Sequence, residues 1–197
     1  MAIVADATSA SDTARSIDET VAAYGGLDIM VNNAVGRVFV GPILEATVDI
    51  MQAELNIGPI ATLRYMQAAY PHLKARGGGT IINMVTGVIT RDDLTNFGVY
   101  AGAKAAMMCL TRAAAAEWGK DNIRVLSVAP VVDSPAKREF RKTQLGGNAM
   151  PIATNFLRRE GDAETDIGEG VVALCLPQAR YMTGCTIPLD GGQNHFG

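Results

Sequence analysis

Tyr100 and Lys104 stand four residues apart in an alanine-rich helical stretch that runs to Trp118. That spacing puts both on one helix face, within reach of a common ligand. A tyrosine phenol is almost fully protonated at neutral pH, but a nearby ammonium stabilises the phenolate and lowers its pKa. Such a pair can exchange protons near neutrality. In isolation Tyr-x-x-x-Lys is a weak signal, because a core-edge tyrosine beside a solvated lysine gives the same spacing.

The elements around the pair alternate between helix and strand. Ser and Thr residues after Asp6 offer N-caps to a helix with Ala14, Ile17, Val21 and Tyr24 at helical spacing, stopped by Gly25 and Gly26. Met1 to Ala5, Leu27 to Val31, Thr80 to Val85, Ile123 to Ala129 and Cys185 to Leu189 read as short apolar strands. Ala46 to about Tyr70 is helical but interrupted at Gly58-Pro59, where the proline removes an amide donor and leaves Asn56 beside the break. Asp166 to Leu176 reads as a further helix, ended near Pro177. Continuously apolar strands between helices imply an α/β fold with a parallel sheet covered on both faces. Ligands bind such sheets beyond the strands' carboxyl ends, where Asn33, Thr86 and the Pro130 segment converge.

Bulk properties narrow the function classes. The 197 residues are 48% hydrophobic and 19% charged, which fits one globular domain with a single core. A net charge of -3 gives no general attraction for nucleic acid. Cys109, Cys175 and Cys185 show no metal-ligand spacing and are expected to be buried free thiols in a reducing compartment. The apolar stretch at the start is too short for a signal peptide or membrane helix, so a cytoplasmic protein that binds no membrane is expected.

Six segments in order, LDIMVNNAVG (27 to 36), ELNIG (54 to 58), TIINMVTG (80 to 87), VYAGAKAA (99 to 106), NIRVLSVAPVV (122 to 132) and YMTGCTIPLDGG (181 to 192), resemble the short-chain dehydrogenase/reductase family over the whole chain. The resemblance implies one Rossmann-like doubly wound domain over 1–197, a substrate-loop excursion at about 131–161, and a homodimer or homotetramer. It makes Tyr100 the proton donor or acceptor at the substrate oxygen. Lys104 would tune Tyr100 and bind the nicotinamide ribose of NAD or NADP, and Asn56 would hold a water that continues a proton relay. Aligning the apolar strand puts Thr86 at the family's catalytic serine, with the hydroxyl kept and a methyl added. Asp6 matches the residue that meets the adenine amino group. Asn33 and Ala34 match the backbone along the adenosine ribose, and Pro130 matches the segment beside the nicotinamide.

Departures from the family pattern bear on the cofactor. Val35 and Val131 replace glycines, and Ser134-Pro135 stand where a threonine is expected. No G-x-x-x-G-x-G occurs in the 197 residues. The family's first strand, glycine loop, first helix and second strand would precede Met1, so the sheet is expected to be shortened at its N-terminal side. Either a truncated gene product or a changed local arrangement would account for this. Lys137, Arg138, Arg141, Lys142, Arg158 and Arg159 fall in the 131–161 excursion, either as a lid that steers an anionic substrate or as a solvated face. The expected function is interconversion of a secondary alcohol and a ketone by hydride transfer. The alternatives are a non-redox dehydratase, isomerase or cyclase, and a catalytically silent oligomerisation partner.

Overall fold

Successive residues of a strand point to opposite sides of a sheet, and the side each takes decides which helix covers it. The computed structural model describes residues 1–134, 137–139, 142 and 155–196. Among them are the strands β1 (Ile29–Asn32), β2 (Gly79–Met84), β3 (Ile123–Pro130) and β4 (Thr186–Leu189). They form one parallel sheet in the order β1-β2-β3-β4, with Val31 opposite Ile82 and Ile82 opposite Leu126.

The helices are α1 (Ala10–Tyr24), α2 (Val48–Leu55), α3 (Ala61–Ala75), α4 (Gly98–Trp118) and α5 (Glu169–Cys175). On one face Ile81 and Val125 pack with Ile17 of α1, Met66 and Leu73 of α3, and Ala114 of α4. On the other, Ile82, Leu126 and Val128 pack with Leu174 of α5. Ile81, Ile82, Val125 and Leu126 are each 0% exposed, so β2 and β3 are covered on both sides. Burying each such side chain stabilises the fold by about 1.5 to 3 kcal/mol. The result is a Rossmann-like doubly wound α/β fold.

Local chemistry sets the helix ends. Ser9 Oγ accepts from the Asp12 amide, and Gly25 closes α1 in the left-handed conformation that a glycine adopts without strain. Between α2 and α3 the chain widens into a π-helical turn, Asn56–Ile60, around Pro59. The missing amide donor at Pro59 is the physical reason for the wider turn.

Two expectations are corrected, and one pair of alternatives is narrowed. Met1 to Ala5 joins no strand: Arg15 Nη2 donates to the Val4 carbonyl at 2.7 Å and the terminal amine donates to Tyr24 Oη at 2.9 Å, so side chains take the place of a ladder. The cysteines are free, but Cys109 and Cys185 are exposed and Cys175 is only half-buried. Cys109 lies on the outer side of α4, away from the sheet. In the excursion, Lys137 pairs with Glu160, Arg138 with Asp133, and Arg159 with Asp166 through two hydrogen bonds. These internal partners favour the solvated face over an anion-steering lid. Ser134 Oγ accepts from the Lys137 amide at 3.1 Å. Pro135 and Arg141 lie outside the described residues.

Candidate active site

A chain of buried polar groups sets the orientation of α4 on the sheet. Asn32 Nδ2 of β1 donates to Asn83 Oδ1 of β2 at 2.8 Å, and Asn83 Nδ2 donates to Thr111 Oγ1 of α4 at 2.9 Å. Ser127 Oγ of β3 donates to the same threonine at 2.8 Å. With every member bonded, the chain carries little burial penalty and ties α4 to three strands. Thr111 is two helical turns beyond Lys104, so the anchor also fixes the face that bears Lys104 and Tyr100.

That face meets the carboxyl end of β2. Lys104 is 7% exposed, and its Nζ donates to the Met84 carbonyl at 2.8 Å. Thr86, 8% exposed, caps the short 3-10 turn Gly87–Thr90 by accepting from the Val88 amide. Met84 is opposite Val128, two residues before Thr86 and Pro130 on their strands, which puts those two residues at the same edge of the sheet. The π-helical turn bearing Asn56 packs on α4: Gly58 lies against Ala103, the neighbour of Lys104.

The electrostatics differ from those expected for an adjacent ammonium. Burial pushes the Tyr100 phenol above its ordinary value, a smaller downward effect comes from the Thr86 hydroxyl, and a further upward one from the charge of Glu54. Burial also lowers Lys104, to about 8, against an opposing effect of Glu54. Lys104 spends its nearest bond on Met84, so desolvation outweighs any stabilisation of phenolate in this structure.

The remaining predicted residues gather elsewhere. Asn33 and Ala34 line a cavity of about 420 Å³ beside β1, together with Ala5, Ala7, Ile57 and Tyr65. Asp6 lies between two of these lining residues, but its exposed carboxylate accepts from the Thr8 amide and hydroxyl, both at 2.8 Å. Neither Tyr100 nor Lys104 borders the cavity. The predicted residues therefore form a proton-transfer cluster and a separate nucleoside-sized hollow.

Two groups escape a reading of motifs. Glu54 of α2 is 6% exposed, and its Oε1 accepts from the Phe39 amide at 2.7 Å. The available signal was an acid three residues after Met51, on the stripe of α2 that faces α4. Asp190 accepts from the amides of Gly192 and Asn194 and from Asn194 Nδ2, and Asn194 packs on Gly87 where a Cβ has no room. The C-terminal segment thus braces the turn that Thr86 begins. Its signal was the Asp-Gly-Gly turn ahead of Asn194.

The donor set fits the ribose and nicotinamide half of a dinucleotide. Lys104 has one of its three donors engaged at Met84, which leaves others for hydroxyls. The fit does not extend to the pyrophosphate, for which the 197 residues contain no G-x-x-x-G-x-G.

Residues 1–194 match the family described as enoyl-(acyl carrier protein) reductase. The chain is 33% identical over 177 residues to a 12alpha-hydroxysteroid dehydrogenase of a Clostridium species, covering 90% of this chain and 68% of that protein. It is 36% identical over 189 residues to a tropinone reductase homolog of Arabidopsis thaliana, covering 93% and 68%. A solved short-chain type dehydrogenase/reductase from Mycobacterium ulcerans superposes with a TM-score of 0.86 at 26% identity, over 96% of this chain and 68% of that one. Fold, site geometry and these likenesses agree: the chain belongs to the short-chain dehydrogenase/reductase family.

Proposed function

We propose that this protein, an oxidoreductase acting on CH–OH groups, interconverts a secondary alcohol and a ketone, with Tyr100 exchanging the proton at the substrate oxygen. The observation that carries the reading is the convergence of Thr86, Tyr100 and Lys104 at the carboxyl end of β2. Thr86 donates a second hydrogen bond to the substrate oxygen, which steadies the charge that develops there. Lys104 binds the ribose of NAD or NADP, and Asn33, Ala34 and Asp6 meet the adenosine end. Pro130 lies beside the nicotinamide. The bound nicotinamide supplies hydride transfer. Asn56, at the widened turn, holds a water through which Lys104 exchanges its proton with solvent.

The reading takes residues 1–197 as one domain around the single described sheet, forming a homodimer or homotetramer and acting on a small molecule. Ala105, Cys109 and Ala113 put small exposed side chains along one side of α4, where the reading seats a second copy. Three unpaired cysteines support a cytoplasmic setting. Among the described residues no helix is long and apolar enough to cross a membrane.

Incubation with a panel of secondary alcohols and either nucleotide, followed by absorbance of the reduced nicotinamide, tests the reading. Turnover lost in Tyr100→Phe supports it, and turnover retained in that variant rejects it. A second reading, a non-redox dehydratase, isomerase or cyclase, draws on the lack of a glycine loop in these residues. It predicts conversion that depends on Tyr100 but not on nucleotide. A silent oligomerisation partner predicts neither.

A further inference from the structure

The turn that Thr86 caps, Gly87–Thr90, is held from outside by the side chain of Asn194. Asn194 packs on Gly87 so closely that a Cβ there would meet its amide group. On one side its Oδ1 lies 3.3 Å from Thr90 Oγ1, which donates to the Gly87 carbonyl at 2.9 Å within the turn. On the other, Nδ2 donates to Asp190 Oδ2 at 2.7 Å. Thr86, Gly87, Asp190 and Asn194 are all buried, so these contacts meet little competition from water.

The support is itself anchored. Asp190 directly follows β4 and accepts from the Gly192 and Asn194 amides at 2.8 and 2.7 Å, which folds the chain back so that Asn194 faces Gly87. Gly191 and Gly192 take the left-handed backbone in that bend, with φ of 67° and 86°. The Gly191 carbonyl accepts from the Phe156 and Leu157 amides at 2.8 and 3.2 Å. Phe196, two residues beyond Asn194, packs on the cluster of Val85, Met107 and Ala129. Val85 directly precedes Thr86, so the C-terminal segment supports the chain before that residue as well as after it.

We infer that Asn194 is a positioning residue for Thr86: by filling the space beside Gly87 and bridging Asp190 to Thr90, it fixes the turn that the threonine caps and with it the direction of the Thr86 hydroxyl. The inference rests on the proposed role of Thr86 as a donor to the substrate oxygen and deepens it. That hydroxyl swings by about 120° between staggered rotamers, and it accepts from the Val88 amide only while the turn keeps the amide in place. A loosened turn would leave the donor aimed at the substrate oxygen for part of the time only. Such a loss lowers the rate without changing the affinity for nucleotide.

The rotamer can be read directly. In the full chain labelled with ¹³C and ¹⁵N, without nucleotide, the three-bond couplings of the Thr86 γ-methyl carbon to its backbone nitrogen and carbonyl carbon are measured, the resonance being identified by its absence in Thr86→Ser. The parent is expected to give the values of one rotamer. In Asn194→Ala they should move toward rotamer averages. Thr90→Val, a change at a half-buried position on the other end of the bridge, should move them in the same direction, so the test survives a poorly folding Asn194 variant. Thr13 of α1, 2% exposed, should keep its parental couplings in both. In the alcohol–ketone assay kcat/KM should fall by about threefold or more in Asn194→Ala, with the nucleotide KM unchanged. In a Thr86→Val background the same change should add nothing, because both act through one hydroxyl. Unchanged Thr86 couplings in both variants overturn the inference, as does averaging that extends to Thr13 or kinetic losses that multiply in the double variant. Because the couplings need no turnover, an inactive parent rejects the proposed function while the couplings still decide the positioning role.

Discussion

Thr86 and Tyr100 come from different elements, the turn after β2 and the first turn of α4, and the Thr86 hydroxyl lowers the Tyr100 pKa against the larger upward effect of burial. The Thr86 oxygen also accepts from the Val88 amide at 3.2 Å, which leaves its proton for the tyrosine or for a substrate oxygen. Thr86→Ser preserves both roles and is expected to retain turnover. Thr86→Val keeps the shape, loses the donor, and should lower kcat/KM by about tenfold or more. It should also move the Tyr100 ionisation, followed by ultraviolet difference absorbance, further upward. A valine variant with parental kinetics would make Thr86 a structural cap alone.

Tyr100→Phe removes the only titrating atom of the residue. It takes away one hydroxyl and leaves the ring in place, so circular dichroism and thermal unfolding should stay near the parent. Turnover should vanish. Lys104→Ala should reduce both rate and nucleotide affinity, since the ammonium serves the cluster and the ribose together.

The depressed pKa of Lys104 makes a stability prediction with a defined sign. Its ordinary value is 10.5 and its folded value about 8. Between these limits the unfolded chain holds a proton that the folded chain has lost, so stability rises with pH across that window. Below pH 8 the cost of the buried charge, about 3 kcal/mol, is in full force, and above 10.5 it is absent. Urea unfolding of the parent and Lys104→Met should therefore show the variant's advantage at pH 7 shrinking toward about pH 10. An advantage that does not change with pH would place the Lys104 transition outside that range.

Nucleotide binding should depend on a glycine loop for the pyrophosphate, and the 197 residues contain no G-x-x-x-G-x-G. Asn33, Ala34, Asp6 and Lys104 can meet the adenine and the two riboses, while the pyrophosphate needs unpaired amides at a helix N-terminus. Two or three missing charge-assisted hydrogen bonds, each about 1.5 to 3 kcal/mol, correspond to roughly a thousandfold in affinity. The outer edge of β1, where Ile29 is 47% and Val31 44% exposed, is where added chain would pair. Calorimetric titration of this chain, and of a fusion carrying a strand, glycine loop and helix ahead of Met1, should differ by that factor. Micromolar binding by the 197 residues alone would show that another segment or a second copy supplies the phosphate site.

Sedimentation velocity at micromolar concentration should show a dimer or tetramer, and Ala113→Glu on the exposed side of α4 should dissociate it. A monomer in the parent removes that expectation.

Much of the frame was legible in order and period. The apolar runs at 80–85 and 123–129 could be buried only in a sheet covered on both faces, and Gly25 and Pro59 marked a helix end and a widened turn through their backbone chemistry. The spacing of Tyr100 and Lys104 put them on one face because a helix repeats every 3.6 residues. The tertiary structure decided what surrounds that face, because desolvation and long-range charge depend on neighbours brought from distant elements. It buried Glu54 with the Phe39 amide on its carboxylate, and it made burial, not the ammonium, dominant at Tyr100. It braced Thr86 with Asn194 from the far end of the chain, and it turned Met1 to Ala5 away from the sheet, where side chains of α1 satisfy a backbone that its apolar composition alone would assign to a strand.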